Sequence, residues 1–241
     1  MTALGLFAVL LLIAGASAAS TARPVNYAYA VDIDYMGSPD AFVCLFANGY
    51  RTVFSRAYRP ESFGYADSTA IGNIQRASAA GLRNEVYITP ALVDSFKTGA
   101  TQADETIDNL VNAGYTIRSL WIQVTTPGVW GSNIAKNVDF ITSAISRIRA
   151  RGIIPGVYTS QYDWKQITNN KIGLGTDVML WYWNVFGLGS GGESNATFDD
   201  FRPFGQWTDP WVKQDLYTVS SATKKEIDNK SNLVIGGNIG F

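Results

Sequence analysis

Six short runs of apolar, β-branched and aromatic residues, spaced by segments of helical periodicity, constrain this chain more than any other feature. The runs cover residues 28–33, 52–58, 85–88, 120–124, 153–158 and 178–183. Between them apolar residues recur at three- and four-residue spacing, as in Ile107, Leu110 and Val111, or Val138, Ile141, Ile145 and Ile148. Runs such as Leu120-Trp-Ile-Gln-Val124 are nearly continuous in apolar residues, the mark of an inner strand covered on both faces. A series of right-handed βα crossovers curls such strands toward a closed ring.

The helix boundaries support this reading. Ser38-Pro39-Asp40 supplies a hydroxyl N-cap, a proline at the first helical position and an acid in the first turn. That helix carries Phe42, Leu45 and Phe46 inward and stops at Asn48-Gly49. Further helices are predicted from 67 or 68 to 80, over 101–113, over 133–151 and over 162–167, with Gly81, Gly114 and Gly152 closing three of them. From Gly187 onward the pattern changes: strand-like pieces at 204–207, 212–214 and 226–228 follow without convincing helices. The expected fold is α/β, an irregular TIM-like (β/α) barrel with helix-poor C-terminal strands, in a single domain over 19–241. A doubly wound open sheet is the alternative. No Gly-x-Gly-x-x-Gly follows the first strand and no phosphate-binding loop is present, so neither a nucleotide nor another cofactor is implied.

Composition excludes several kinds of chemistry. The chain of 241 residues contains no histidine, which removes Ser-His-Asp and Cys-His catalysis and the usual His-ligated metal sites. Any proton chemistry falls to carboxylates. With 19 basic and 20 acidic residues and no basic cluster, nothing supports nucleic-acid binding. Leu4 to Gly15 is apolar and uncharged, and Ala16-Ser17-Ala18 follows as a small-x-small cleavage site, so residues 1–18 are expected to be a signal peptide and the mature protein to be secreted. No later stretch is long and apolar enough for a membrane anchor. Sequons at Asn195 and Asn229 suit an extracellular glycoprotein. Cys44 is the single cysteine; it is expected to be buried and inert in a monomer, an intermolecular bridge being the alternative.

The strand over 120–124 raises the functional question. The loop leaving the C-terminal end of such a strand is where α/β folds place their chemistry. Gln123 and Thr125 face that end together, because residues two apart on a strand share a side. Neither exchanges a proton near pH 7.

The order and spacing of landmarks along nearly the whole mature chain resemble the nematode-type lysozyme-like branch of glycoside hydrolase family 25. They include Tyr29-Ala-Val-Asp-Ile33, Asn48-Gly49-Tyr50, Leu120-Trp121, Trp130-Gly131-Ser132, Gly156-Val-Tyr-Thr-Ser160, Leu180-Trp-Tyr182, Gln206-Trp207 and Lys213-Gln214. The resemblance implies a peptidoglycan-cleaving barrel with carboxylates lining a groove. Asp32 matches the aspartate at the end of the first strand, and Asp228 the last aspartate near the C-terminus. The family's Asp-x-Glu pair, whose glutamate donates the proton, falls on Gln123 and Thr125.

Glycoside hydrolysis needs an acid for the leaving oxygen and a second carboxylate or substrate group to assist attack. The resemblance therefore leads to a secreted protein of bacterial defence that binds cell-wall peptidoglycan-type glycan, with hydrolysis lost or weak: a pseudoenzyme. One alternative is an active muramidase using Asp32, Asp34 or Asp228. Another is a non-catalytic barrel used for protein contact. Aromatic side chains are the sugar-binding candidates, with Trp130, Trp183 and Trp207 foremost and Tyr158 and Tyr182 beside them. Strand alternation sends Tyr182 away from Trp181 and Trp183, so one face at most lines a groove.

Overall fold

The computed structural model describes residues 28–92, 95–187, 192–215 and 235–237. The βα alternation is realised in order. Strand β1 (Ala28–Ile33) leads through α1 (Pro39–Ala47) to β2 (Tyr50–Arg59), and a short β3 (Tyr65–Ala66) precedes α2 (Thr69–Ala79). Then follow β4 (Arg83–Ile88), α3 (Gly99–Asn112), β5 (Ser119–Gln123), a single 3-10 turn (Pro127–Val129) and α4 (Ile134–Ala150). The chain continues as β6 (Ile154–Thr159), α5 (Gln161–Thr168), β7 (Met179–Trp183), β8 (Val212–Gln214) and β9 (Ile235–Gly237).

The expected helix starts hold at atomic detail. The side chains of Ser38, Thr98, Asn133 and Ser160 each accept a backbone N–H from the residue three positions on, satisfying one of the donors a helix leaves open. Gly49, Gly81, Gly114 and Gly152 follow their helices with positive φ. At the start of α2 the device differs: Ser68 makes no side-chain cap, and Asp67 instead accepts from the backbone N and hydroxyl of Thr69. Strand β2 runs longer than expected because its end turns back on itself, Tyr58 and Arg59 pairing antiparallel with Ala66 and Tyr65.

Strands β1, β2 and β4 to β8 pair in parallel, and β9 closes the ring by running antiparallel to both β8 and β1. Because β3 hangs off β2 alone, the ring consists of the other eight strands. This is the irregular barrel expected, with its last strands joined without helices among the described residues.

Alternation divides each strand between two layers. Ala30, Phe54, Tyr87, Trp121, Tyr158, Trp181 and Val212 fill the inside of the barrel. Outward residues such as Leu120, Ile122, Val124, Val157 and Leu180 pack under α2 to α5, while Val31, Ile33 and Val53 pack under α1. Close approach explains Gly156, where an added Cβ would lie 2.2 Å from the Trp121 ring. A bulky indole inside one strand thus requires a bare backbone on its neighbour.

Two expectations on α1 fail. Cys44 is exposed, its sulfur accepting from the Asn48 amide at 3.4 Å, and Phe46 is 42% exposed. The run Ala41-Phe-Val-Cys-Leu-Phe46 is apolar all round, so composition marks no stripe, and packing selects Ala41, Phe42 and Leu45. Among the described residues no helix is long and apolar enough to cross a membrane.

Candidate functional site

At the C-terminal ends of the parallel strands the barrel opens into a mouth. Three groups of side chains surround it, each delivered by strand alternation from the interior row.

The first lies on β1, β2 and β4. Asp32 follows Ala30 on the inward row of β1, and Tyr87 donates to its carboxyl group. The Asp32 Oδ1 atom is closed to solvent and has no partner among the described residues. Burial raises the Asp32 pKa to about 7; the Tyr87 hydrogen bond and the Arg56 charge oppose the rise, and the Asp34 charge adds to it. Arg56 donates to Asp34 Oδ2 at 3.3 Å, to the Asp34 carbonyl at 2.9 Å and to Asp67 Oδ2 at 3.2 Å. Asp34 is therefore the outer partner of a guanidinium that it shares with a buried aspartate.

The second group lies at the end of β5. Thr89, just past β4, donates its hydroxyl to Gln123 Oε1 at 2.7 Å, and Gln123 Nε2 donates to Thr125 Oγ1 at 3.1 Å. Both Gln123 and Thr125 are partly open to solvent. Trp130 supports this turn from behind: its indole N–H donates to the Thr125 carbonyl at 3.0 Å, and its ring meets Phe140 of α4 edge-on. The next residue, Thr126, has φ of 58°, a left-handed conformation that a β-branched residue adopts only when its surroundings hold it there.

The third group supplies that hold. Asp163, in the first turn of α5, is 2% exposed and accepts from the Trp183 indole N–H at 2.9 Å, from the Thr126 backbone N–H and from Ser160. Burial raises its pKa despite these three bonds. One carboxylate thus ties the exit of β5, the start of α5 and the half-buried Trp183 at the end of β7. Replacing it by asparagine keeps the size but puts an amide N–H among three converging donors. Asp163→Asn is expected to cost about 1–3 kcal/mol of stability and to shift the Trp183 fluorescence. Chemical denaturation followed by tryptophan emission checks both; an unchanged spectrum in a folded variant removes the proposed tie.

Comparison with known proteins identifies the scaffold. The family model described as Lysozyme-like protein 1 matches residues 23–214. Lysozyme-like protein 7 of Caenorhabditis elegans is 47% identical over 189 residues, covering 78% of this chain and 66% of its own. Lysozyme-like protein 1 of the same organism is 41% identical, covering 89% of this chain and 80% of its own. A Dictyostelium discoideum protein described as "Probable GH family 25 lysozyme 2" is 32% identical over 76% of this chain and 81% of its own. The chain belongs to the lysozyme-like proteins of glycoside hydrolase family 25. Its fold agrees: a family GH25 lysozyme structure from Aspergillus fumigatus superposes with a TM-score of 0.64 at 18% identity, over 90% of this chain and 95% of that one.

Within this lysozyme-like barrel the candidate residues separate into those at the mouth and those elsewhere. Asp32, Asp34, Gln123, Thr125 and Trp183 gather at it, and Tyr158, register partner of Gln123, lies beneath with its hydroxyl bonded to Gln214. Tyr182 does not line the mouth. It points outward, donates to Asp200 Oδ1 at 2.7 Å and packs on Phe201, as the alternation with Trp181 and Trp183 requires. Trp207 is also displaced: its indole donates to the carbonyl of Val178, at the opposite end of β7, and its ring packs on Trp164 and Phe204. Trp130 is a buried support. Asn195 is exposed. Asp228 and Asn229 lie outside the described residues.

Sequence reasoning missed Thr89, Tyr87, Arg56 and Asp163. Thr89 and Gln123 are far apart in sequence and meet only through strand pairing. Asp163 carried a local signal: Ser160-Gln-Tyr-Asp163 is a capping-box spacing just past a strand end, which places the carboxylate at the barrel's mouth. Among the described residues no group of acids or cysteine could hold a metal ion.

The raised pKa of Asp32 has a consequence for stability. An acid that binds its proton more tightly when folded contributes stability that is full below its unfolded pKa of 3.8 and is lost as pH rises toward about 7. Asp32→Asn is therefore expected to match the wild type at pH 4 and to exceed it by about 1–2 kcal/mol at pH 8, solvent screening at the open mouth having reduced the effect. Melting curves at the two pH values check this; equal differences at both would contradict it.

Proposed function

We propose that this protein binds peptidoglycan-type glycan in the barrel mouth and hydrolyses it weakly or not at all. The observation that carries the reading is the hydrogen-bonded row Thr89–Gln123–Thr125 at the end of β5. The resemblance puts the family's acid pair at Gln123 and Thr125, and neither their amide and hydroxyl nor the Thr89 hydroxyl gives up a proton at physiological pH. Binding asks less of the same groups. A flat half-buried indole at Trp183 suits the C–H face of a sugar ring, and the polar groups around it suit hydroxyl and amide substituents. With residues 1–18 acting as a secretion signal, the biological setting we propose is extracellular contact with bacterial walls in defence.

Pull-down on insoluble peptidoglycan together with wall-clearing turbidity tests the reading. Retention on peptidoglycan without clearing is the expected result; absence of retention would remove it. A second reading, weak muramidase activity, has one observation in its favour: Asp32 keeps its proton to about pH 7 at the mouth and so could act as an acid. It predicts slow clearing that disappears in Asp32→Asn.

A further inference from the structure

Apart from the groups at the mouth, one acid is closed in without a hydrogen-bonding partner. Asp215 directly follows β8, is 0% exposed, and neither oxygen of its carboxyl group is hydrogen-bonded among the described residues. Residues 192–200 lie against it. The Ser194 backbone N–H donates to the Asp215 carbonyl at 2.9 Å, and the Ser194 hydroxyl donates to the Asn184 carbonyl at 2.6 Å. Lys213, 1% exposed, holds the rest of the segment down. Its ammonium donates to the carbonyls of Asn195 at 2.6 Å and Thr197 at 2.9 Å, and to Asp200 Oδ2 at 2.9 Å. Asp200 also accepts from Tyr182 and from the Asn184 amide, so the segment fixes the residue that follows Trp183.

An ionised carboxylate in that place is poorly compensated. Among the described residues, the charged groups that act on Asp215 are Glu193 and Asp200 from the segment and Lys213 from β8 itself. Burial raises the Asp215 pKa to about 7; its own backbone N–H and the Lys213 charge oppose the rise, and the Glu193 and Asp200 charges add to it. Lys213 brings no further relief while the segment stays in place, because its three protons are already given to three oxygens. Turning the ammonium toward Asp215 would release the Asn195 and Thr197 carbonyls, which are the segment's own anchors. Ionisation therefore works against the closed arrangement by either route, water reaching Asp215 or Lys213 leaving its carbonyls.

We propose that residues 192–200 form a proton-linked latch, closing against β8 with uptake of one proton at Asp215 and loosening when that proton is lost. Linkage gives the direction. A carboxyl that binds its proton more tightly in the closed state favours closure fully below its ordinary pKa of 3.8, and this advantage is lost as pH rises toward about 7. Acid thus locks the segment, and with it Asn184 beside Trp183, while neutral pH loosens both.

Hydrogen–deuterium exchange of the full protein tests the latch, read on peptides covering 192–200 and corrected for the intrinsic effect of pH on exchange. Wild-type protection is expected to fall about tenfold or more between pH 4 and pH 8. Asp215→Asn keeps the size without the charge and should hold the segment closed at both pH values. Glu193→Gln, at an exposed position, removes one charge that raises Asp215 and should make the fall smaller. Asp32→Asn removes the mouth acid that also titrates near 7 and should keep the full response. Thermal melts establish that each variant folds; if Asp215→Asn does not, Glu193→Gln decides. Equal wild-type protection at the two pH values overturns the latch. So does a fall that persists in folded Asp215→Asn, is undiminished in Glu193→Gln, or disappears in Asp32→Asn.

Discussion

Gln123→Asp combined with Thr125→Glu is expected to clear bacterial walls at a rate about 10²–10⁴ above the wild type. Both positions lie on the inward side at the end of β5, so two acids there would face the mouth together. Thr89 already donates to position 123 and would donate equally well to a carboxylate. The backbone that carries position 125 is fixed by the Trp130 indole and, one residue on, by Asp163. Neither support depends on the side chains being changed. The introduced glutamate gains the reach that threonine lacks and, desolvated near other acids, would hold its proton toward neutral pH. The same repulsion makes the double variant somewhat less stable, so its melting point is measured beside its activity. A folded double variant no more active than the wild type would show that the scaffold has lost more than two protons.

Much of this site was legible because strand alternation is rigid. Knowing that 120–124 was a buried strand sufficed to place Gln123 and Thr125 on one side, and the structure puts both at the mouth. The same rule sends Tyr182 away from Trp183, which the structure also shows. Trp207 was not legible, since an indole in an irregular segment carries no period, and its place was settled by a hydrogen bond to the carbonyl of Val178. Cys44 was misread for a related reason: where every residue of a short helix turn is apolar, only contact with β1 and β2 decides which side is covered. The Thr89–Gln123 bond and the Arg56 bridge join residues from different βα units, and nothing local announces them. Sequence patterns thus placed Gln123 and Thr125 on one side at the end of β5, while the polarity of their hydrogen bonds came from the fold.

Trp181→Ala is expected to cost about 3–5 kcal/mol, enough to threaten the folded state of a single domain. Trp181 is fully buried inside the barrel, and four other rings surround it: Tyr158 stacked at 4.1 Å between centroids, Phe54 at 4.6 Å, Tyr87 at 5.9 Å and Trp121 edge-on at 6.0 Å. Removing the indole would leave a cavity lined by rings anchored on separate strands, which cannot collapse together without shifting those strands. One term works the other way. The Trp181 indole N–H has no partner among the described residues, so its removal relieves a dry donor. Trp181→Phe separates the two contributions: it keeps most of the packing, drops the N–H, and is expected to cost about 1–2 kcal/mol less than a change of that volume otherwise would. The effect should reach the mouth, because Tyr87 donates to Asp32 and Tyr158 lies beneath Gln123. Urea unfolding midpoints for the two variants, read beside glycan affinity, check both claims. A cost below about 1 kcal/mol for Trp181→Ala would mean that the outer layer under the helices, rather than the aromatic interior, holds the ring of strands in place.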